Sequence, residues 1–369
     1  MKNKKVLYVF GPGRLDKIKN HKFEAEEFFY SYFYIKKYFE VEIIEASKNL
    51  DSKYSNLFRF YDRLITKLTS FPSYLVEIIN KNNVLKYQKA DSVIFTNDAL
   101  YLSFLPIIVL DRLLRSKRKI TVITMGLFGK VSKNKIIALL DKIYLKSILF
   151  FADQFIFLGW GEYCLANNLY KKNSFKFHYI PFCIDTKFWT GIEITKINKR
   201  EGILFIGNDG KRDFEFLVQL AHDLKEFEFT IVTNQKIECD FENVKLIKGS
   251  WSLDLLSDSG LRNLYNKSIL TIIPLKESYQ PSGQSVGMQS IACRTPILIT
   301  KTKGFWGNLE FSENNSVNFV EKNEISIWRT KINEILNTPR SIENSESSFK
   351  LFCKNYDIEK FSKNLKELI

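Results

Sequence analysis

Short β-branched and apolar runs alternate with helix-length stretches along this chain, and the rhythm is played through twice. The first pass holds Val6–Phe10, Val41–Ala46, Ser92–Thr96, Ile120–Met125 and Gln154–Leu158. Each run has strand length, and stretches of about ten residues or more separate them, as in a parallel sheet covered on both faces. A long aromatic helix is expected around Phe23–Phe39. The second pass holds Gly202–Ile206, Glu228–Val232, Val244–Lys248, Leu270–Pro274 and Pro296–Thr300, with helices near Asp213–Lys225, Leu261–Lys267 and Ser285–Cys293. Between the passes, Lys187–Arg200 follows Pro181 and has little periodicity, so it reads as the linker. The expected fold class is therefore α/β, with two doubly wound parallel-sheet domains and a cleft between them. In such sheets ligands bind beyond the carboxyl ends of the strands.

Composition narrows the class further. With 369 residues, 45% hydrophobic and 26% charged, the chain can bury two cores, which excludes disorder, collagen and coiled coil as global descriptions. Five scattered cysteines (Cys164, Cys183, Cys239, Cys293 and Cys353) never form a CxxC pair and suit a reduced, cytoplasmic setting. The apolar run after the basic N-terminus is too short for a signal peptide. Ala99–Val109, the longest apolar stretch, falls short of the roughly 18 residues of a transmembrane helix.

Two segments carry chemistry. In Pro274–Pro296 a strand ends in a polar loop, Pro281-Ser282-Gly283-Gln284, that opens a helix. Gly283 permits close approach to the backbone, and the helix end offers free N–H groups and a positive dipole, which suits a phosphate. An ordinary cap with Ser282 as the cap residue fits the same residues. In Ile203–Asp213 a strand runs into a glycine turn, Gly207-Asn208-Asp209-Gly210, followed by Lys211 and Arg212 at a helix start. Cations there oppose the dipole, so their position points to an anion; a solvated surface pair is the alternative.

These segments, with His178–Phe188, resemble the GT-B glycosyltransferases of family 4. The likeness is good over residues 175–369 and architectural over 1–174. It implies two Rossmann-like domains, over residues 1–185 and 200–350, with 351–369 as a helix crossing back to the first. It further implies a nucleotide-diphosphate sugar as donor, with Arg212 and Lys211 as leaving-group cations. Gly207, Asn208, Ser282, Gly283, Gln284 and Gln289 would hold the nucleotide, and Gly11-Pro12-Gly13-Arg14 would be an acceptor-side loop. The family's paired glutamates fall on Pro281 and Gln289. Gln289 can still bridge ribose hydroxyls, because an amide both donates and accepts, and Glu277 is the nearest carboxylate for the sugar. Asn208 stands at the family's Arg and Arg212 at its Lys, so the chain reads as a Ser-Gly-Gln variant. Trp251 stacks near the base or sits in the core.

The resemblance implies transfer of a sugar with retention to a lipid-linked or saccharide acceptor in bacterial surface glycan synthesis. There is no Asp-x-Asp, and the three histidines (His21, His178 and His222) lack metal-ligand spacing. No metal and no cofactor beyond the donor are therefore expected. A GT-B epimerase and a non-catalytic nucleotide-sugar- or nucleic-acid-binding protein are the alternatives.

Charge adds a location. Residues 1–185 hold 30 basic and 17 acidic residues, while the whole chain has 55 and 41, so +13 of the net +14 lies in the first half. Within Lys53–Phe71, Arg59, Arg63 and Lys67 recur every four residues, with Leu57, Phe58, Tyr61, Leu64, Ile65 and Leu68 on the other side. Such a helix suits an anionic membrane surface; a helix packed on its own domain with a solvated charged face is the alternative. Asp111–Lys119 adds a second basic cluster. The aromatics fall at core-like spacings, so a membrane is favoured over a nucleic acid, and the expected place is the cytoplasm or the inner face of its membrane.

Overall fold

The computed structural model describes residues 4–47, 55–130, 132, 134–190, 200–251, 253–308, 311, 317–337 and 349–369. Lys53 and residues 191–199 of the expected linker lie outside these. One six-stranded sheet holds β1 (Lys5–Phe10), β2 (Glu40–Glu45), β3 (Ser92–Phe95), β4 (Lys119–Thr124), β5 (Gln154–Phe157) and β6 (Phe177–Tyr179). A second holds β7 (Ile203–Ile206), β8 (Phe229–Thr233), β9 (Val244–Lys248), β10 (Leu270–Ile273), β11 (Ile297–Thr300) and β12 (Asn318–Val320). All neighbouring strands are parallel. The ten strands expected from the alternation each lie within a residue of their expected bounds. β6 and β12 are three-residue edge strands, too short to leave a periodic signal.

The orders differ: β2-β1-β3-β4-β5-β6 in the first sheet, β12-β11-β10-β7-β8-β9 in the second. Both are doubly wound, and the second reverses direction between β7 and β10. The loops after β7 and β10 therefore diverge to opposite faces and leave a crevice at the carboxyl edge.

Burial on both faces explains the strand composition. In β1, Val6, Tyr8 and Phe10 point into a central core while Leu7 and Val9 point into the outer core of the first sheet. In β7, Leu204 and Ile206 join the same central core, and Ile203 and Phe205 fill the outer core of the second sheet. The central core is thus shared by both halves.

The aromatic segment departs from expectation. No long helix covers residues 23–39; a 3-10 turn at Glu27–Phe29 and a four-residue helix at Tyr32–Ile35 flank a break. Tyr30 (φ 47°) and Ser31 (φ 66°) occupy the left-handed region. A regular helix would put half of these rings in water. The break instead buries Phe29, Tyr30 and Tyr32, and Phe23 and Phe33 pack beside them.

At the C-terminus, the helix Ile358–Leu368 buries Phe361 and Leu365 in the central core, and Ser362 Oγ meets Ser31 Oγ at 2.8 Å. The chain crossing before the second sheet is tied to this tail: the Ile184 amide donates to Tyr356 O at 3.0 Å and the Ile358 amide to Ile184 O at 2.9 Å. No helix among the described residues is long and apolar enough to cross a membrane.

Candidate functional site

The crevice at the β7/β10 switch holds two adjoining cavities of about 270 and 170 Å³. They share Phe28, Asp209, Arg212 and Ser285. Gly207, Asn208, Val232, Trp251, Leu261 and Gln289 wall the larger, and Tyr30, Met125, Phe182 and Ser282–Gln284 wall the smaller.

Arg212 stands at their junction, only 4% exposed. It gets there because Gly207 has no side chain: a Cβ on Gly207 would lie 2.5 Å from Arg212 Nε. The strand-like bridge between Arg212 and Leu275 fixes its backbone. Its Nε lies 3.3 Å from Asp209 Oδ2, yet Nε and one terminal nitrogen have no hydrogen-bond partner. Burial pushes the guanidinium below the usual arginine value, and Asp209 partly offsets this. A buried cation with orphaned donors is costly unless an anion completes it.

The helix Gln284–Ala292 points its N-terminus at the same spot. Its cap is Gly283, at φ 78°, with no side-chain cap. Ser282 is therefore not the cap residue: its hydroxyl donates to Asp209 Oδ1 at 2.8 Å. Asp209 also accepts from the Lys211 amide at 2.9 Å, so one carboxylate joins the glycine turn to the Ser282 loop. A Cβ on Gly283 would come within 2.8 Å of the free Arg212 nitrogen. Positive side chain and uncapped helix end thus converge, as an anion requires.

Gln289 lines the larger cavity, but much of its amide is spoken for. Tyr265 Oη donates to its Oε1 at 3.2 Å, and its Nε2 donates to Glu27 Oε1 at 3.0 Å. Glu27 comes from the broken aromatic segment of the other half and also accepts from Trp189 Nε1 at 2.9 Å. Burial pushes its carboxyl up to about 7 against these donors. Gln284 likewise crosses the cleft, donating to Leu158 O at 2.8 Å.

Trp251 is half-buried at the cleft wall, its ring 5.0 Å from Phe28 and its face 5.3 Å from the Arg14 guanidinium. Asn208 braces the turn, donating to Gly249 O at 2.9 Å and accepting from Thr233 Oγ1 at 3.2 Å.

Other expected residues sit elsewhere. Lys211 and Glu277 line neither cavity. Glu277 is exposed and accepts from the Lys303 amide at 3.0 Å, because the loop turns outward after β10. At Gly11–Arg14 the following helix end is already filled: Glu45 Oε1 accepts from the amides of Arg14 and Leu15 at 2.5 and 2.7 Å. No anion can use those amides; from this loop the Arg14 side chain faces Trp251, and Lys17 of the following helix lies over the same ring at 5.0 Å. In the second basic cluster, Arg118 pairs with Asp111 and Arg112 with Asp153, so those cations are structural.

Phe28, Tyr30, Asp209 and Glu27 were not anticipated. Asp209 carried a usable signal, as an acid two residues beyond a strand-ending glycine. The other three carried none, because a broken aromatic run has no period.

No family model matches the sequence, nor does any curated protein. Solved structures do resemble the fold. A glycosyltransferase from Rickettsia africae is similar at TM-score 0.65 and 15% identity, over 100% of this chain and 98% of that one. Anabaena HepE, in complex with UDP and glucose, is similar at TM-score 0.63 and 11% identity, over 99% and 98%. A UDP-GlcNAc 2-epimerase from Neisseria meningitidis is similar at TM-score 0.54 and 14% identity, over 99% of each chain. At these identities the likeness establishes the architecture: two Rossmann-like domains of GT-B type facing a common cleft.

Proposed function

We propose that this chain is a glycosyltransferase that moves a sugar from a nucleoside-diphosphate sugar to a lipid-linked or saccharide acceptor. The observation that carries the reading is Arg212, a buried guanidinium with orphaned donors at an uncapped helix end. The larger cavity, walled by Trp251, Val232 and Gln289, takes the nucleoside. The diphosphate spans Arg212 and the amides of Gly283 and Gln284, since the Ser282 amide already donates to Gln280 O at 2.7 Å, and the sugar enters the smaller cavity beside Tyr30 and Gln280.

The chemistry follows from charge. Breaking the anomeric C–O bond leaves the electron pair on the diphosphate, and Arg212 with the helix-end amides stabilises that charge as it forms. Lys211, off the cavity walls, adds only longer-range charge. Glu277, held at the Lys303 amide, is the weakest member of the expected set. Cationic side chains in place of a metal pair fit a chain without Asp-x-Asp. Retention at the anomeric carbon, a hexose as the sugar and a role in bacterial surface glycans complete the reading, on the family 4 resemblance.

The test is a thermal-shift series with UDP, GDP and their sugars, since a site-specific ligand raises the melting temperature by mass action. Stabilisation by one nucleoside diphosphate, lost in Arg212→Ala, supports the reading; no shift with any of them sinks it. The epimerase with this fold gives a second reading. Turnover of the nucleotide sugar without an acceptor would favour it.

A further inference from the structure

Two neighbouring helices in the first half present an outer face that the cleft does not use. Ser55–Leu68 leaves Leu57, Phe60, Leu64 and Leu68 exposed along one side, the most open at 64%. Lys135–Phe151 leaves Ile136, Leu139, Ile143 and Phe150 exposed, between 55% and 76%. The end of the first helix meets the middle of the second. Just beyond the first, the Ser70 amide donates to Asp141 Oδ1 of the second at 2.7 Å, and the rings of Phe71 and Tyr144 lie 5.7 Å apart. Singly exposed leucines are ordinary on a protein surface; eight large apolar side chains on two adjacent helices form a patch that marks an interaction surface.

The charges say what kind. Arg59, Arg63 and Lys67 on the first helix and Lys135, Lys142 and Lys146 on the second are all exposed. Among the described residues none of the six has an acidic partner. Each helix has one acidic residue, and both are turned inward. Asp62 accepts from Ser73 Oγ and the amides of Leu75 and Val76, while Asp141 takes the Ser70 amide. Among the described residues, the two helices therefore present six exposed cations and no exposed carboxylate. At its far end, Lys146, Lys171 and Lys172 surround an open groove with Leu149, Phe150 and Leu169.

We propose that this two-helix face seats the chain on an anionic membrane, with its leucine, isoleucine and phenylalanine side chains at the acyl boundary and its lysines and arginines at the phosphates. A second copy of the chain would set like cations against each other across an isologous contact, which opposes association. The helix Lys135–Phe151 also begins on the cleft side, because the chain leaves β4 at its carboxyl end before running back along the sheet. A cleft that opens beside the membrane can draw on an acceptor anchored there. Docking rests on the exposed face alone; only this delivery rests on the proposed transfer.

Cosedimentation of the full chain with phosphatidylcholine vesicles, with and without about a third phosphatidylglycerol, tests the docking. Binding should be at least about tenfold tighter to the anionic vesicles and should weaken as salt screens the surface. The triple variant Lys135→Glu, Lys142→Glu, Lys146→Glu should lose at least about tenfold, and Leu139→Ser with Phe150→Ser should weaken binding even at low salt. These exposed positions should leave the UDP-induced thermal shift unchanged. Equal binding to neutral and anionic vesicles overturns the proposal, as does no binding, or a dimer abolished by Leu139→Ser and Phe150→Ser. A chain that UDP stabilises but vesicles do not hold leaves transfer standing without docking. One that vesicles hold but no nucleotide stabilises leaves docking standing without transfer.

Discussion

Arg212 is the residue on which the functional reading turns, because its burial and its orphaned donors pull against each other until an anion arrives. Arg212→Ala is expected to leave the fold intact, since it removes a buried charge that Asp209 only partly offsets, and Asp209, itself a third exposed, keeps its bonds from Ser282 Oγ and the Lys211 amide. It should lower kcat by about 10²–10³-fold, the usual cost of one leaving-charge stabiliser. Steady-state kinetics beside a circular dichroism melt would separate the two effects, and near-normal turnover would end the assignment. Gly283 is the backbone counterpart. At φ 78°, with a Cβ placed 2.7 Å from Ile273 Cγ2, Gly283→Ala should cost about 1–3 kcal/mol in denaturant melts and weaken nucleotide binding as well. Gln289 is tied to Tyr265 and Glu27, with limited bonding capacity left for a ribose. Gln289→Ala should raise the donor KM several-fold more than it lowers kcat, and an unchanged KM would remove it from the nucleotide site.

At the scale of elements, the segment around Glu27–Phe29 decides most. Its break at Tyr30 and Ser31 carries Glu27 across to the second half and turns Phe28 and Tyr30 into cavity walls. The Glu27 carboxyl sits near 7 when folded, against 4.5 for an ordinary glutamate. Below that ordinary value both states hold the proton. As pH climbs toward 7, the unfolded chain releases the proton and the folded chain keeps it. Stability therefore falls across this window, by up to about 3 kcal/mol. Glu162, buried and pushed to about 8 while accepting from the amides of Gly126 and Phe128, adds a drift of the same sign. Melts between pH 5 and 8 should show the decline, and Glu27→Gln should flatten the part below about pH 7. An unchanged slope in that variant would mean that Glu27 is ionised in the fold. The strands were readable because burial on both faces leaves a continuous apolar run. The aromatic segment was misread as a helix because ring density fits a helix and a broken coil equally well.

For the whole molecule, the central core joins both sheets, the helix Gln284–Ala292 and the C-terminal helix. Phe361→Ala, in that core at 3% exposure, should cost about 3–5 kcal/mol. Both halves should then melt earlier in one transition; separate transitions in calorimetry would show that the halves stand alone. Net charge belongs to this scale too. The +13 of the first half draws on both the amphipathic helix and the Asp111–Lys119 cluster, and its cations are of two kinds. Arg112 and Arg118 are spent on internal carboxylates, while the cations of Ser55–Leu68 and Lys135–Phe151 stay on the surface beside exposed apolar side chains.

The sequence by itself determined the strands and the two glycine turns, one at Gly207–Gly210 and one at Gly283; their meeting at Arg212 is a tertiary contact. These are local: a run of apolar residues or a glycine beside a cation acts within a few residues of itself. Tertiary structure alone decided that Glu277 turns away, that Glu45 fills the first helix end, and that Glu27, Phe28 and Tyr30 complete the site. Those contacts join groups tens to hundreds of residues apart, and only the packing of two sheets against one shared core selects them.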